Sequence, residues 1–546
     1  MYSSPAGVAR SRTVSSVVAG FTLFTLLTAL VGCGGGGQNA APSSRGAISK
    51  DSAGLPPPAK EKANFDKLQQ EEYAHYEDNP FQAVAVAPVS TFSTDVNTAS
   101  YSNVRRMLKE NKLPPKDSVL LAELINYFPY SYPQPTGDDP VSFTLDISPC
   151  PWEPTHHLVR IGLRARQLDP SAMPPRNLVF LVDVSGSMSG DTRLPLVKKS
   201  LSLLIDQLTS RDTVSIVTYA NGSMVKLLPT RGSEKGRIRE VVNALSASGG
   251  TNGEGGIRLA YDQARASFIE GGANRVILCT DGDFNLGATS EGELVRMIES
   301  QRQGNVFLTV LGYGMGNLKN QTLEQLANHG NGHYAYIDSE SEAHKVFVEQ
   351  GAALVTVAKD VKLQVEFNPQ RVNAYRLIGY ENRILQTQDF KNDQKDAGDM
   401  GSGHTVTAFY EVVPVGVKID LPGVDPLKYQ QPTGTAPAAA TDEWLTAKMR
   451  YKHPESLTSL ELVKPLTGDS LGKSVSADFR FAAAVAEFGM LLRDSQYKGS
   501  SNYDHVLTTA EANLGTDPGG HRAEFTTLVR QARRLTQDVR DDKPSK

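Results

Sequence analysis

Apolar residues recur with two different periods along this chain, and the period changes at what should be domain boundaries. Between 176 and 352, short apolar runs alternate with stretches spaced for helices. The run from Leu178 to Val182 is uninterrupted, as in a parallel strand covered on both faces. Strands are expected at 177–183, 213–219, 224–228, 275–280, 306–311 and 333–337, with helices near 191–208, 234–246, 254–270, 291–303, 318–328 and 340–352. This alternation predicts a doubly wound, Rossmann-like α/β sheet with strand order 3-2-1-4-5-6. On both flanks the period falls to two, in VSFTLDI (141–147), HLVRIGL (157–163), VKLQVEF (361–367), 372–378, HTVTAFYEV (404–412) and WLTAKMRY (444–451). Few helix signals intervene. The flanks 141–175 and 353–455 therefore predict one discontinuous β-sandwich with the α/β domain, 176–352, inserted into it.

Helical spacing returns at both ends. Val104, Met107 and Leu108 share a face, Pro114-Pro115 interrupts, and Leu120, Leu121, Leu124 and Ile125 mark a second helix, so 86–140 is expected to be an N-terminal helical region. Within 456–546, apolar helices are expected at 477–493, with Phe479, Phe481, Val485 and Phe488, and at 522–539, where Arg530, Arg533 and Arg534 form a solvated face. At the start, Arg10 and Arg12 precede an uncharged stretch to Gly32, too short for a stable spanning helix and suited to a signal peptide over 1–32. Residues 33–85 open with a Gly/Ala/Ser/Pro-rich tether.

At 546 residues the chain has room for several domains, and a net charge of −4 implies no polyanion partner, hence no nucleic acid. Its three cysteines, Cys33, Cys150 and Cys279, form neither a disulfide framework nor a zinc site, and Cys279 falls within a central strand as a buried thiol. Leu30-Val31-Gly32-Cys33 resembles a bacterial lipobox, which implies cleavage before Cys33 and its lipidation. Gly34 in place of Asp then favours the periplasmic face of the outer membrane, held by the lipid anchor.

The candidate chemistry lies at strand ends. Asp183-Val184-Ser185-Gly186-Ser187 follows the first strand of the α/β domain, Thr251 sits in the glycine loop 248–253, and Asp281 follows the strand 275–280. Two carboxylates and three hydroxyls where ligands bind in such sheets suit a hard divalent cation. This DxSxS, GGT and TDG set resembles the metal-ion-dependent adhesion site of a von Willebrand factor A domain. FSTDVNTASYSNVRR (92–106), VEFNP with YRLIGYENR (365–383) and FRFAAAVAEFGMLLRDS (479–495) resemble the flanks of a bacterial lipoprotein subfamily with that domain.

The resemblance implies direct Mg²⁺ ligation by Ser185 and Ser187, with Mn²⁺ or Ca²⁺ as alternatives. It implies direct or water-mediated ligation by Thr251, and charge supplied mostly through water by Asp183 and Asp281. One position stays open for an Asp or Glu exposed on a partner protein. The expected function is thus non-enzymatic adhesion or assembly at the cell envelope. Two alternatives stand beside it: a Mg²⁺-dependent hydrolase or phosphotransferase using Asp183, and a structural envelope subunit with a non-functional metal site. Against the first, a dehalogenase-like phosphatase needs a second aspartate where this chain has Ser185. Four other features read as structural: Asp95 and Asn97 as a capped turn, His156-His157 as a strand entry, His329 and His333 as a turn into the last strand, and Gly312 to Asn317 as a tight turn rather than a nucleotide loop.

Overall fold

The computed structural model describes residues 73–282, 291–314, 320–421 and 436–541. Cys33, the signal peptide, the tether as far as residue 72, and part of the 312–317 turn lie outside these residues. The chain first adds two short strands, β1 (Gln82–Ala83) and β2 (Val89–Ser93), then helices α1 (Ala99–Lys109) and α2 (Leu121–Asn126), then β3 (Val141–Pro149) and β4 (His157–Ala165).

The α/β domain follows. Its strands are β5 (Arg176–Asp183), β6 (Thr213–Tyr219), β7 (Ser223–Arg231), β8 (Ala273–Thr280), β9 (Val306–Tyr313) and β10 (Tyr334–Ile337). They lie in the order β10-β9-β8-β5-β6-β7, which is the expected 3-2-1-4-5-6. β5 is parallel to both β6 and β8, and only β7 runs antiparallel to its neighbour. The apolar run of β5 faces both ways, with Leu178, Phe180 and Val182 in one buried cluster and Val179 and Leu181 in the other. Helices α3 (Leu194–Asp206), α4 (Lys235–Ala244), α5 (Gly253–Ala266), α6 (Glu291–Gln303), α7 (Asn320–His329) and α8 (Glu340–His344) complete the domain.

Beyond it come β11 (Thr356–Phe367), β12 (Val372–Ile378), β13 (Gly398–Gly401), β14 (Thr405–Pro414), β15 (Glu443–Lys452) and β16 (Leu460–Thr467). One sheet runs β1-β12-β14-β4-β3, and the other runs β13-β11-β15-β16 with β2 also on β11. Both sheets contribute to one buried cluster, with Phe143, Ile161 and Leu163 from the first and Leu363, Phe367 and Met449 from the second. The sandwich is therefore built from chain on both sides of the α/β domain. Three of its strands fall outside the ranges expected for it: β1 lies in 33–85, expected to be tether, and β2 in 86–140 and β16 in 456–546, both expected to be helical. Helices α9 (Ala477–Arg493), α10 (Tyr503–Glu511) and α11 (His521–Asp541) end the described chain. They bury Phe481, Phe488 and Phe525 against Tyr101, Leu124 and Phe128, so the two chain ends share one helical core over the outer face of the first sheet. Arg105 of α1 ties that layer to the α/β domain, donating to Glu342 of α8 at 2.8 Å. Among the described residues no helix is long and apolar enough to cross a membrane.

Asp95 and Asn97 do not cap α1: Asp95 pairs with Arg383 at 3.4 Å and Asn97 accepts from Tyr334 N at 2.9 Å. Both side chains instead hold other elements onto the turn.

Candidate metal centre

The parallel ladder fixes the first half of the site. Asp183 is the last residue of β5, in register with Tyr219 of β6, and β8 on the other side delivers Asp281 one residue past its end. Asp183 and Asp281 are 0% and 2% exposed, so two buried carboxyls stand on neighbouring strand ends. Ser185 N donates to Asp183 Oδ1 at 2.8 Å, which folds the chain back over the strand end. The hydroxyls of Ser185 and Ser187 then come within 2.9 Å of each other. Thr280 Oγ1 donates to Asp183 Oδ2 at 3.4 Å.

The glycine loop docks by backbone contacts. Ser248 N donates to Val184 O at 2.7 Å, and Gly186 N to Gly249 O at 2.9 Å. Gly249 has φ +84°, and a Cβ there would stand 2.8 Å from Asn221 Nδ2. Glycine alone permits both the backbone conformation and the approach. Gly250 N donates to Asn221 Oδ1 at 2.6 Å. Half-buried Thr251 follows, and Asn252 caps α5 by accepting from Gly255 N at 3.3 Å. Thr251 is thus carried on a loop pinned to Val184 and Gly186.

Two residues of this neighbourhood escaped the sequence reading. Asn221 positions the glycine loop, and no local motif marks it. Arg193, just before α3, places its guanidinium 3.5 Å from Asp281 Oδ2 and donates to Ser187 O. A basic residue at a helix start carries no such signal either.

The electrostatics fit a cation. Burial, with Asp281 nearby, pushes the Asp183 carboxyl up to about 6. Charge on two adjacent buried carboxyls is costly without a compensating positive charge. A divalent ion would supply it, and every group offered here is an oxygen donor. Among the described residues no group of three or more His, Cys, Asp or Glu is placed to hold a metal. This centre differs from such a group in relying on hydroxyls beside two carboxylates.

The remaining histidines are engaged elsewhere. His156 Nδ1 lies 2.7 Å from Glu411 Oε1 and His329 Nδ1 lies 3.0 Å from Glu299 Oε1. His157 meets Trp444 edge-on at 5.0 Å, and His333 meets His404 at 5.5 Å. Cys279 is buried in β8.

Comparison with known proteins agrees with this architecture. The model of the von Willebrand factor type A domain matches residues 177–350, that of von Willebrand factor matches 67–160, and that of the C-terminal region of uncharacterized protein YfbK matches 352–535. Uncharacterized protein YfbK of Escherichia coli (strain K12) is 41% identical over 472 residues, 85% of this chain and 81% of that protein. The chain belongs to the YfbK family. The chain also resembles human inter-alpha-trypsin inhibitor heavy chain H4, 27% identical over 177 residues, though the match covers 31% of this chain and 19% of that protein. A solved von Willebrand factor type A protein from Catenulispora acidiphila aligns with 84% of this chain and 91% of its own, at 15% identity and a TM-score of 0.39. In this YfbK-family chain the A domain is the segment between β4 and β11. Domains of this type mediate protein–protein interaction and adhesion.

Proposed function

We propose that this protein binds an acidic group of a partner protein through Mg²⁺ held by Asp183, Ser185, Ser187, Thr251 and Asp281. The observation that carries the reading is the pair of buried carboxyls on adjacent strand ends, with two facing hydroxyls folded over one of them. Ser185, Ser187 and Thr251 would hold the ion through their hydroxyls. Asp183 and Asp281 would supply its counter-charge. Bound there, the ion offers a coordination position that a partner's carboxylate completes. Arg193, with its guanidinium 3.5 Å from Asp281 Oδ2, would offset part of the negative charge of the carboxyl pair. Lipidation at Cys33 would hold the protein at the outer membrane's periplasmic face, with the A domain turned to partners in the envelope. Binding is favoured over catalysis because Ser185 stands where a phosphatase of the dehalogenase type needs its second carboxylate.

The test is metal-dependent stabilisation and capture. A ligand at 100 times its Kd stabilises the folded state by about 2.7 kcal/mol. Mg²⁺ should therefore raise the melting temperature of the wild type and leave Asp183→Ala unmoved. The full-length protein should retain an envelope protein in Mg²⁺ and release it in EDTA. Equal retention by wild type and Asp183→Ala would sink the adhesion mechanism.

A further inference from the structure

Arg105, Arg275 and Arg376 are among the largest fully buried side chains of the molecule. A buried charge is normally paired. Arg105 meets Glu342 at 2.8 Å and Arg376 meets Glu411 at 2.8 Å. Arg275, on β8 and 2% exposed, has no carboxylate within ion-pair distance among the described residues. Its one side-chain hydrogen bond runs from Nη1 to Thr309 Oγ1 at 2.8 Å, and Nε has no acceptor. Its guanidinium lies 5.6 Å from the centre of the Phe307 ring. The acid that acts on it from further away is Asp399, whose own carboxyl is pushed up to about 8 by burial and by Asp396. Near neutral pH that group is largely uncharged and supplies little counter-charge.

Arg275 borders a cavity of about 440 Å³ between the A domain and the sandwich. Phe307 lines it on the A-domain side, and Leu168, Leu354 and Val357 on the other. The two acids at its edge, Asp138 and Glu455, are exposed and are matched by Arg166 and Lys359. The volume is that of a small-molecule site. A single planar guanidinium with free donors suits a carboxylate, and the apolar walls suit an apolar body behind it.

We infer that the seam between the A domain and the β-sandwich binds a small organic carboxylate with an apolar body, its charged end received by Arg275. Arg275 and Asp281 lie six residues apart along β8, roughly 20 Å at the rise of an extended strand. The seam site is therefore distinct from the metal centre, and its occupancy does not depend on the metal.

Isothermal titration calorimetry on the full-length protein, with EDTA and again with Mg²⁺, tests this with phenylacetate, phenylacetamide and inorganic phosphate. Phenylacetate should bind once per chain with the same affinity in both buffers. Phenylacetamide and phosphate should each bind at least tenfold more weakly. Arg275→Gln should lower phenylacetate affinity at least tenfold, and Arg275→Lys less. Without ligand, Arg275→Gln should melt no lower than wild type, because removing a buried charge that lacks a carboxylate offsets the loss of its Thr309 hydrogen bond and Phe307 contact. Pro454→Trp, which narrows the cavity without touching the guanidinium, should also abolish binding, and it serves if Arg275→Gln does not fold. Equal binding of acid and amide, phosphate binding as tight as phenylacetate, no phenylacetate binding up to 10 mM, or unchanged binding by Pro454→Trp would each overturn the inference.

Discussion

Glu411 offers the sharpest test of how the sandwich is held together. Its carboxylate, 2% exposed on β14, accepts from Arg376 Nη2 at 2.8 Å and Trp152 Nε1 at 3.0 Å, and faces His156 Nδ1 at 2.7 Å. Glu411→Gln keeps the shape and one acceptor but leaves Arg376, 1% exposed, without its counter-charge. Breaking a buried ion pair on one side costs about 3–5 kcal/mol. Arg376 retains the Tyr497 ring 4.3 Å away, a contact worth up to about 2 kcal/mol when desolvated, so the lower end near 3 kcal/mol is expected. At about 2.1 cal/mol/K per residue, that is a fall of roughly 3–5 °C in the melting transition of a unit of several hundred residues. The double variant Glu411→Gln with Arg376→Met removes both charges. The amide can still accept from Trp152 and donate to His156, so the double variant should return to within about 1 kcal/mol of wild type. Burial pushes the Glu411 carboxyl up, but the His156 hydrogen bond and the Arg376 charge outweigh this and hold it below the usual range. The stability from this group is therefore present above the ordinary glutamate value and is lost as pH falls through the lower folded value. Glu411→Gln should flatten the acid limb of a melting-temperature profile. A single variant within 1 kcal/mol of wild type, or a double variant no better than the single, refutes the reasoning.

Two further predictions concern the candidate metal centre. The Asp183 carboxyl, pushed from an ordinary 3.8 to about 6, gives metal-free protein a stability present below the ordinary value and lost as pH rises through 6, about 3 kcal/mol in all. In EDTA, Asp183→Asn should remove that dependence and raise the melting temperature at pH 8, whereas a variant less stable than wild type there would contradict the burial argument. Gly249→Ala changes no charge, but it strains the loop at φ +84° against Asn221. A cost of about 1–2 kcal/mol and weaker Mg²⁺ binding should follow, measured by calorimetry beside wild type.

The clustering of Asp183, Ser185, Ser187 and Asp281 was legible in the sequence because each part is local. DxSxS and TDG each sit at the end of one apolar strand and GGT opens a helix, and the order of strands in a doubly wound sheet brings the first and last together. The residues that tune the centre were not legible. Arg193 and Asn221 act across space from a helix start and a hairpin turn, and neither spacing nor composition marks them. The inserted arrangement was also readable, because alternation resumes after the A domain with the same period as before it. β2 was missed for a physical reason: Val89 to Ser93 has one strongly apolar side chain facing the core, Phe92, and takes its partner β11 from 270 residues further along. The turn at Asp95 and Asn97 was assigned to its own helix because capping is a local rule, whereas its hydrogen bonds run to β10 and to Arg383.

The insertion also sets how the molecule bears mechanical load. The A domain is joined to the sandwich by two chain crossings, one leaving β4 and one entering β11. β4 lies between β3 and β14, and β11 lies between β15 on one side and β13 and β2 on the other. Were a partner to bind as proposed, tension at the strand ends of the A domain would be divided between two interior strands of two different sheets. Neither can be peeled from an edge, one hydrogen bond at a time. Extracting either requires ladder bonds on both its sides to fail, so the connection to the sandwich is held at two interior positions rather than at one edge.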